Sequence, residues 1–175
     1  MRALPPFAGR EVTASQDDGR EGVLYVDGAS FGNPGPSGIG VVLVEDGDTV
    51  LTRSEDVGYG TNNQAEYRAL LRGLAEALER GITRLLVRSD SELLVRQMLG
   101  EYKVKSKALQ ALRREAEALK RRFDEIHFEH VRREYNEIAD ELAKQGAEAA
   151  KERGVTGPRL QLFDDRGETP RTPPE

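Results

Sequence analysis

The feature that most constrains this chain is a helix-like stripe set between two strand-like runs. Tyr67, Leu70, Leu71, Leu74, Ala77 and Leu78 recur at spacings of three and four, which lines one face of an α-helix. Asn63-Gln64-Ala65-Glu66 opens that helix and Gly81 stops it. Before it lies VLYVDGASF (23–31) and after it ITRLLVRSD (82–90), both short, β-prone and bounded by turn residues. Strands joined through a helix pair in parallel by a right-handed crossover, so the fourth strand should join the first. Two further runs, GIGVVLVEDG and TVLTRSEDVG, fit between the first strand and the helix, turning at Asp46-Gly47-Asp48 as an antiparallel meander. Downstream come a short helix in SELLVRQMLG and a longer one carried by Leu109, Leu112, Ala116, Leu119 and Phe123. A fifth strand, EIHFEHV, and a final helix over 136–152 complete the pattern. The order βββαβααβα predicts an α/β fold with a five-stranded mixed sheet, three antiparallel strands then two parallel ones, flanked by helices, with strand one central.

The flanks read differently. Residues 1–20 and 154–175 mix Pro, Gly and charge without periodicity, which predicts a disordered lead-in, one domain at 21–153 and a polar tail. A content of 37% hydrophobic residues is enough to bury a core, and no run approaches a membrane span or a signal peptide. With no cysteine, disulfides and thiolate metal sites are excluded, which suits a cytoplasmic location. The net charge of −5 runs against the basic surface usual for nucleic-acid partners. Charges within 1–20 and within 151–175 cancel, however, so the deficit sits in the domain, where clustered metal-binding carboxylates would supply it.

Four acids stand where a fold would rather not put them. Asp27 interrupts the apolar run Val23-Leu24-Tyr25-Val26, and Asp90 ends Leu85-Leu86-Val87. If those strands are parallel neighbours, both carboxylates emerge at the carboxyl edge of the sheet, where α/β ligands bind. Glu66, in the first turn of its helix, shares a face with Leu70, Gly73 and Ala77, and Asp140 shares one with Ala143 and Ala147. Singly, each has an ordinary reading as a turn, a cap or a partner for a helix dipole. Together they would repel and raise one another's pKa unless a cation neutralised them. An all-oxygen set without His or Cys points to Mg²⁺ or Mn²⁺, and two such ions would clamp the attacking and leaving oxygens of a phosphodiester.

The blocks YVDGASFGNPGPSGIGVVL, TNNQAEYRALLRGL, VRSDSELLVRQM and YNEIADELAKQGA, in this order across residues 23–150, resemble the four blocks of type I ribonuclease H. That resemblance implies an endonuclease that hydrolyses the RNA strand of RNA–DNA hybrids, leaving 5′-phosphate and 3′-hydroxyl ends. Its two Mg²⁺ ions, for which Mn²⁺ would substitute, would be held by Asp27, Glu66 and Asp90 for one and by Asp27 and Asp140 for the other. It further implies hybrid contacts at Ser30, Asn33, Asn62, Asn63 and Glu92, and a DNA-phosphate contact at Thr61. Competing readings are another nuclease of the same superfamily and a catalytically inactive hybrid-binding module.

The chain departs from many relatives in two places. The stretch before Asp140 is short, so His130 reads as a structural residue of strand five and Arg133 as the nearer participant in catalysis. An arginine cannot shuttle protons near neutral pH, which leaves charge stabilisation or product release. The inserted basic helix of many relatives is missing, and Lys103, Lys105 and Lys107, placed before the longer helix, are expected to meet phosphates instead. In the tail, Leu160, Leu162 and Phe163 either fold back on the domain or form a peptide that docks on a sliding clamp.

Overall fold

A computed structural model describes residues 19–157, so Leu160, Leu162, Phe163 and most of the two flanks lie outside the described residues. Strands β1 (Arg20–Ser30), β2 (Gly35–Glu45) and β3 (Asp48–Gly60) form the meander, followed by α1 (Asn62–Glu79), β4 (Ile82–Ser89), α2 (Glu92–Met98), α3 (Lys107–Lys120), β5 (Glu125–His130) and α4 (Glu137–Glu152). The sheet order is β3-β2-β1-β4-β5, with β1 central. β1 pairs antiparallel with β2 and parallel with β4, and β4 pairs parallel with β5. The expected mixed sheet and its central strand are both present. The strand ends differ slightly: β1 begins three residues before Val23, and β3 runs on to Gly60.

Alternation along β1 sends Leu24 and Val26 to one face, where they join Ile39, Val41, Leu43, Tyr67, Leu70 and Leu74 in the core. α1 lies against this face so closely that a Cβ on Gly73 would sit 2.7 Å from the Leu24 side chain. The other face receives α4. Cβ atoms on Gly38 and Gly40 would meet α4 backbone at 2.0 Å, so these strand glycines exist to let the helix in. Ala139, Ala143 and Ala147 supply the matching small side of α4. Small-on-small packing brings α4, and with it Asp140, to the central strands.

Two local expectations change. α1 starts at Asn62, capped by Thr61, which moves Glu66 from the first turn into the second. α3 ends at Lys120, so Phe123 lies beyond the helix, although it remains buried at 7% exposure. The backbone turns after Lys120, where the Phe123 N–H donates to the Lys120 carbonyl, and the ring joins the core from beyond the helix.

Candidate active site

Asp27 sits near the carboxyl end of β1, the central strand of the five, and Asp90 follows the last residue of β4. Parallel pairing of Val26 with Ser89 carries both acids to the same edge. Glu66 comes down from α1, and Gly28 makes room for it: a Cβ there would lie 2.4 Å from the Ala65 and Glu66 backbone. One carboxylate oxygen from each of Asp27, Glu66 and Asp90 lies within 4.8 Å of the others. Asp140 lies outside that trio but hydrogen-bonds Asp27, so Asp27 is shared between the two groupings.

Charge is poorly compensated here. Burial, then repulsion from Glu66 and Asp90, pushes the Asp27 carboxyl up to about 10. Burial is also the main cause lifting Glu66 to about 8, against the pull of its hydrogen bonds to Asp27 and the Gly28 N–H. Asp140 goes the other way: burial is outweighed by Lys144, 3.0 Å away, which holds its carboxyl below the ordinary range. Glu66 Oε2 is shielded from solvent and has no hydrogen-bond partner. A buried carboxylate oxygen left bare among like charges fits a divalent cation with oxygen ligands, and Asp27, Glu66 and Asp90 can provide them.

The rim holds the other residues singled out in the sequence. Arg133, in a short 3₁₀ turn, brings Nε to 3.8 Å from Asp90 Oδ2 while its side chain stays 84% exposed. His130 ends β5, exposed, with its backbone paired to Ser89. Asn33 Oδ1 accepts from the Asn62 N–H at 3.0 Å, and Ser30 Oγ donates to Gly60 O, which stitches the 31–34 loop to the start of α1. Thr61 and Gln64 form a reciprocal capping box, leaving Asn62 and Asn63 exposed at the helix opening. Ser30, Asn62 and Lys144 line a cleft of about 530 Å³ beside the acids. Glu92, first residue of α2, is exposed and ion-paired with Arg96 at 3.0 Å.

The lysines need a correction. Lys103 and Lys105 lie in the loop before α3, but Lys107 is the first residue of α3 itself, because Ser106 is the cap. Lys103 instead shares a basic cleft of about 590 Å³ with Arg113, Arg114 and Arg121. Two polar neighbours of the acids went unrecognised in the sequence. Lys144 was legible, since it stands four residues after Asp140 on α4. Asn136, 2% exposed and hydrogen-bonded to Asp90, has the look of an ordinary helix cap in sequence.

The chain matches a family model described as reverse transcriptase-like over residues 25–146. It is 46% identical over 130 residues to the bifunctional protein Rv2228c of Mycobacterium tuberculosis, covering 73% of this chain but 36% of that protein. The chain thus spans about a third of the length of that relative. The N-terminal RNase H domain of the same mycobacterial protein superposes with a TM-score of 0.75 at 39% identity, covering 78% of this chain and 99% of the domain structure. Ribonuclease HI of Halobacterium salinarum is 39% identical over 143 residues, covering 80% of this chain and 72% of that enzyme. LC11-RNase H1, solved in complex with an RNA/DNA hybrid, gives a TM-score of 0.71 at 40% identity, covering 74% of this chain and 99% of that one. Sheet order, acid cluster and these matches over most of the domain have one explanation: the chain belongs to the type I ribonuclease H family.

Proposed function

We propose that this protein is an endonuclease that hydrolyses the RNA strand of RNA–DNA hybrids, leaving 5′-phosphate and 3′-hydroxyl ends. The observation that carries this reading is the close trio Asp27, Glu66 and Asp90, with Asp27 buried and Glu66 Oε2 bare, at the carboxyl edge of a sheet built as in the hybrid-bound relative. Asp27, Glu66 and Asp90 would hold one Mg²⁺ and Asp27 with Asp140 a second, with Mn²⁺ as substitute. Such ions supply a water of lowered pKa and stabilise a departing oxygen.

The chain's own residues orient the rest. Asp27, on the central strand, fixes the shared ligand, and the rigid strand–helix crossing at Gly28 fixes Glu66 against it. Ser30, Asn33, Thr61, Asn62, Asn63 and Glu92 frame the edge where a hybrid backbone would lie, and the RNA strand is told from DNA by its 2′-hydroxyl. Arg133, beside Asp90, contributes positive charge as the product leaves. Lys103, Lys105 and Lys107 meet DNA phosphates; neutralising all three should flatten the salt dependence of binding by up to about 0.9 log units per lost contact. An unchanged slope would remove them from the interface.

No helix among the described residues is long and apolar enough to cross a membrane. A cysteine-free chain suits the reducing cytoplasm, and there Leu160, Leu162 and Phe163 would tether the enzyme to a sliding clamp at replication forks. A labelled peptide of residues 157–167 should bind clamp at tens of micromolar or better, and a Leu162→Ala, Phe163→Ala peptide should not. The decisive experiment for function is cleavage of an end-labelled RNA–DNA hybrid beside duplex DNA and duplex RNA, with Mg²⁺ or EDTA. The expected result is cutting of the hybrid's RNA strand with Mg²⁺ alone. No cutting of the hybrid, or equal cutting of duplex DNA, would overturn the reading.

A further inference from the structure

Asn136 stands at the N-cap position of α4, where an asparagine ordinarily accepts a hydrogen bond from the first turn, yet its side chain makes no capping bond. It is instead turned inward and 2% exposed. Nδ2 donates to the Val26 carbonyl at 3.0 Å and reaches Asp90 Oδ1 at 3.4 Å. The orientation of the amide follows from its partners: exchanging Oδ1 and Nδ2 would set a carbonyl oxygen against two acceptors. Oδ1 itself is buried without a partner. The Asn136 backbone carbonyl meanwhile accepts the Asp140 N–H at 3.0 Å.

One residue therefore touches three parts of the site. Its amide holds Asp90, its anchor is the carbonyl one residue before Asp27, and its own carbonyl fixes the backbone of Asp140. These contacts span 110 and 46 residues of sequence, so no local turn would create them. Forgoing the cap and burying a lone acceptor both work against stability, and what the residue gains is a fixed geometry among acids on β1, β4 and α4. We propose that Asn136 is a positioning residue for the carboxylate cluster, setting the cluster's affinity for divalent cations by locking Asp90 and the start of α4 onto the central strand. This rests on the reading of the acids as metal ligands.

The test titrates metal-free full-length protein with Mn²⁺ by calorimetry and melts the same samples in EDTA. Asn136→Ala should weaken Mn²⁺ binding at least tenfold. At saturating metal the KM for hybrid should stay within twofold, because no hybrid contact is removed. In an Asp90→Asn background the same substitution should change Mn²⁺ affinity less than twofold, since the carboxylate it holds is gone. If Asn136→Ala does not fold, Asn136→Ser, which keeps a short donor, takes its place in the same comparison. A lower melting temperature with Mn²⁺ affinity unchanged would show a purely structural joint and overturn the proposal. Equal loss in both backgrounds would do the same. Failure of the wild-type protein to bind Mn²⁺ at all would instead bring down the metal reading on which the proposal stands.

Discussion

The two ends of the sheet treat a buried carboxylate in opposite ways. At the end away from the site, Glu45 closes β2 at 8% exposure, with Arg20 Nη2 at 2.5 Å and Arg80 Nη2 at 3.2 Å. Between β3 and α1, Glu76 is likewise enclosed, with Arg53 at 3.1 Å and Arg72 at 3.5 Å. At the carboxyl edge three acids crowd within 4.8 Å, and Arg133, at 3.8 Å from Asp90, is largely in solvent. Among the described residues, the two buried acids outside the site, Glu45 and Glu76, are each paired with arginines. Burial alone therefore does not mark the site; burial without a counter-ion does.

The largest effect expected from breaking that contrast is on activity. Asp27→Asn should lower hybrid cleavage by at least about a thousandfold, because a neutral amide is a poor ligand for a hard dication. The same substitution should raise the melting temperature in EDTA, since it removes the acid whose carboxyl burial and repulsion push up to about 10. Loss of activity together with lower stability in EDTA would mean that Asp27 is part of the scaffold. A smaller effect belongs to the rim. Arg133→Ala should reduce turnover severalfold, and more than His130→Ala, because only Arg133 stands against Asp90. Steady-state kinetics giving the reverse order would transfer the role to His130.

The structural acids should respond in the opposite way to the site. Glu45→Gln should leave turnover within twofold and cost about 1–2 kcal/mol in a denaturant titration, reduced by the solvent around the two arginines. Should activity collapse instead, the two ends of the sheet would be coupled and the contrast would fail.

How much of this was visible in the sequence varied with the kind of information needed. Element order and the central place of β1 were legible because the stripe from Tyr67 to Leu78 and the two runs beside it leave one chain path. The four acids were legible because each breaks a pattern: Asp27 an apolar strand, Asp140 a small-residue helix face. Asn136 breaks none. An asparagine before a helix is what capping predicts, and its inward turn depends on Val26 and Asp90, residues brought near only by folding. The position of Lys107 was missed for a related reason, since Ser106 and the lysines around it do not show in sequence which residue will cap α3. The division of labour among buried acids was mostly hidden, because Arg20, Arg53 and Arg80 reach Glu45 and Glu76 from distant parts of the chain, although Arg72, four residues before Glu76 on α1, lies within local reach.

The smallest effect is also the one that separates the two kinds of acid by sign. Asp56 on β3 takes a bidentate bond from Arg153 after α4, at 2.6 and 3.0 Å, which holds its carboxyl below the ordinary value of 3.8. A lowered carboxylate stabilises the fold above its unfolded pKa, and that contribution is lost as pH falls through the folded value. Asp27 and Glu66 behave inversely. Their raised carboxyls favour the metal-free fold below the unfolded values of 3.8 and 4.5, and that advantage is lost as pH rises through about 8 to about 10. Metal-free protein should therefore melt at lower temperature as pH rises from about 5 to about 9, and saturating Mg²⁺ should flatten that slope. Asp56→Asn should leave this alkaline slope untouched and soften only the acid limb. Because Arg153 is 62% exposed, the loss at neutral pH should be smaller than that from Glu45→Gln. An alkaline slope altered by Asp56→Asn, or one left undiminished in Asp27→Asn, would mean that the pH response does not come from the uncompensated acids at the sheet edge.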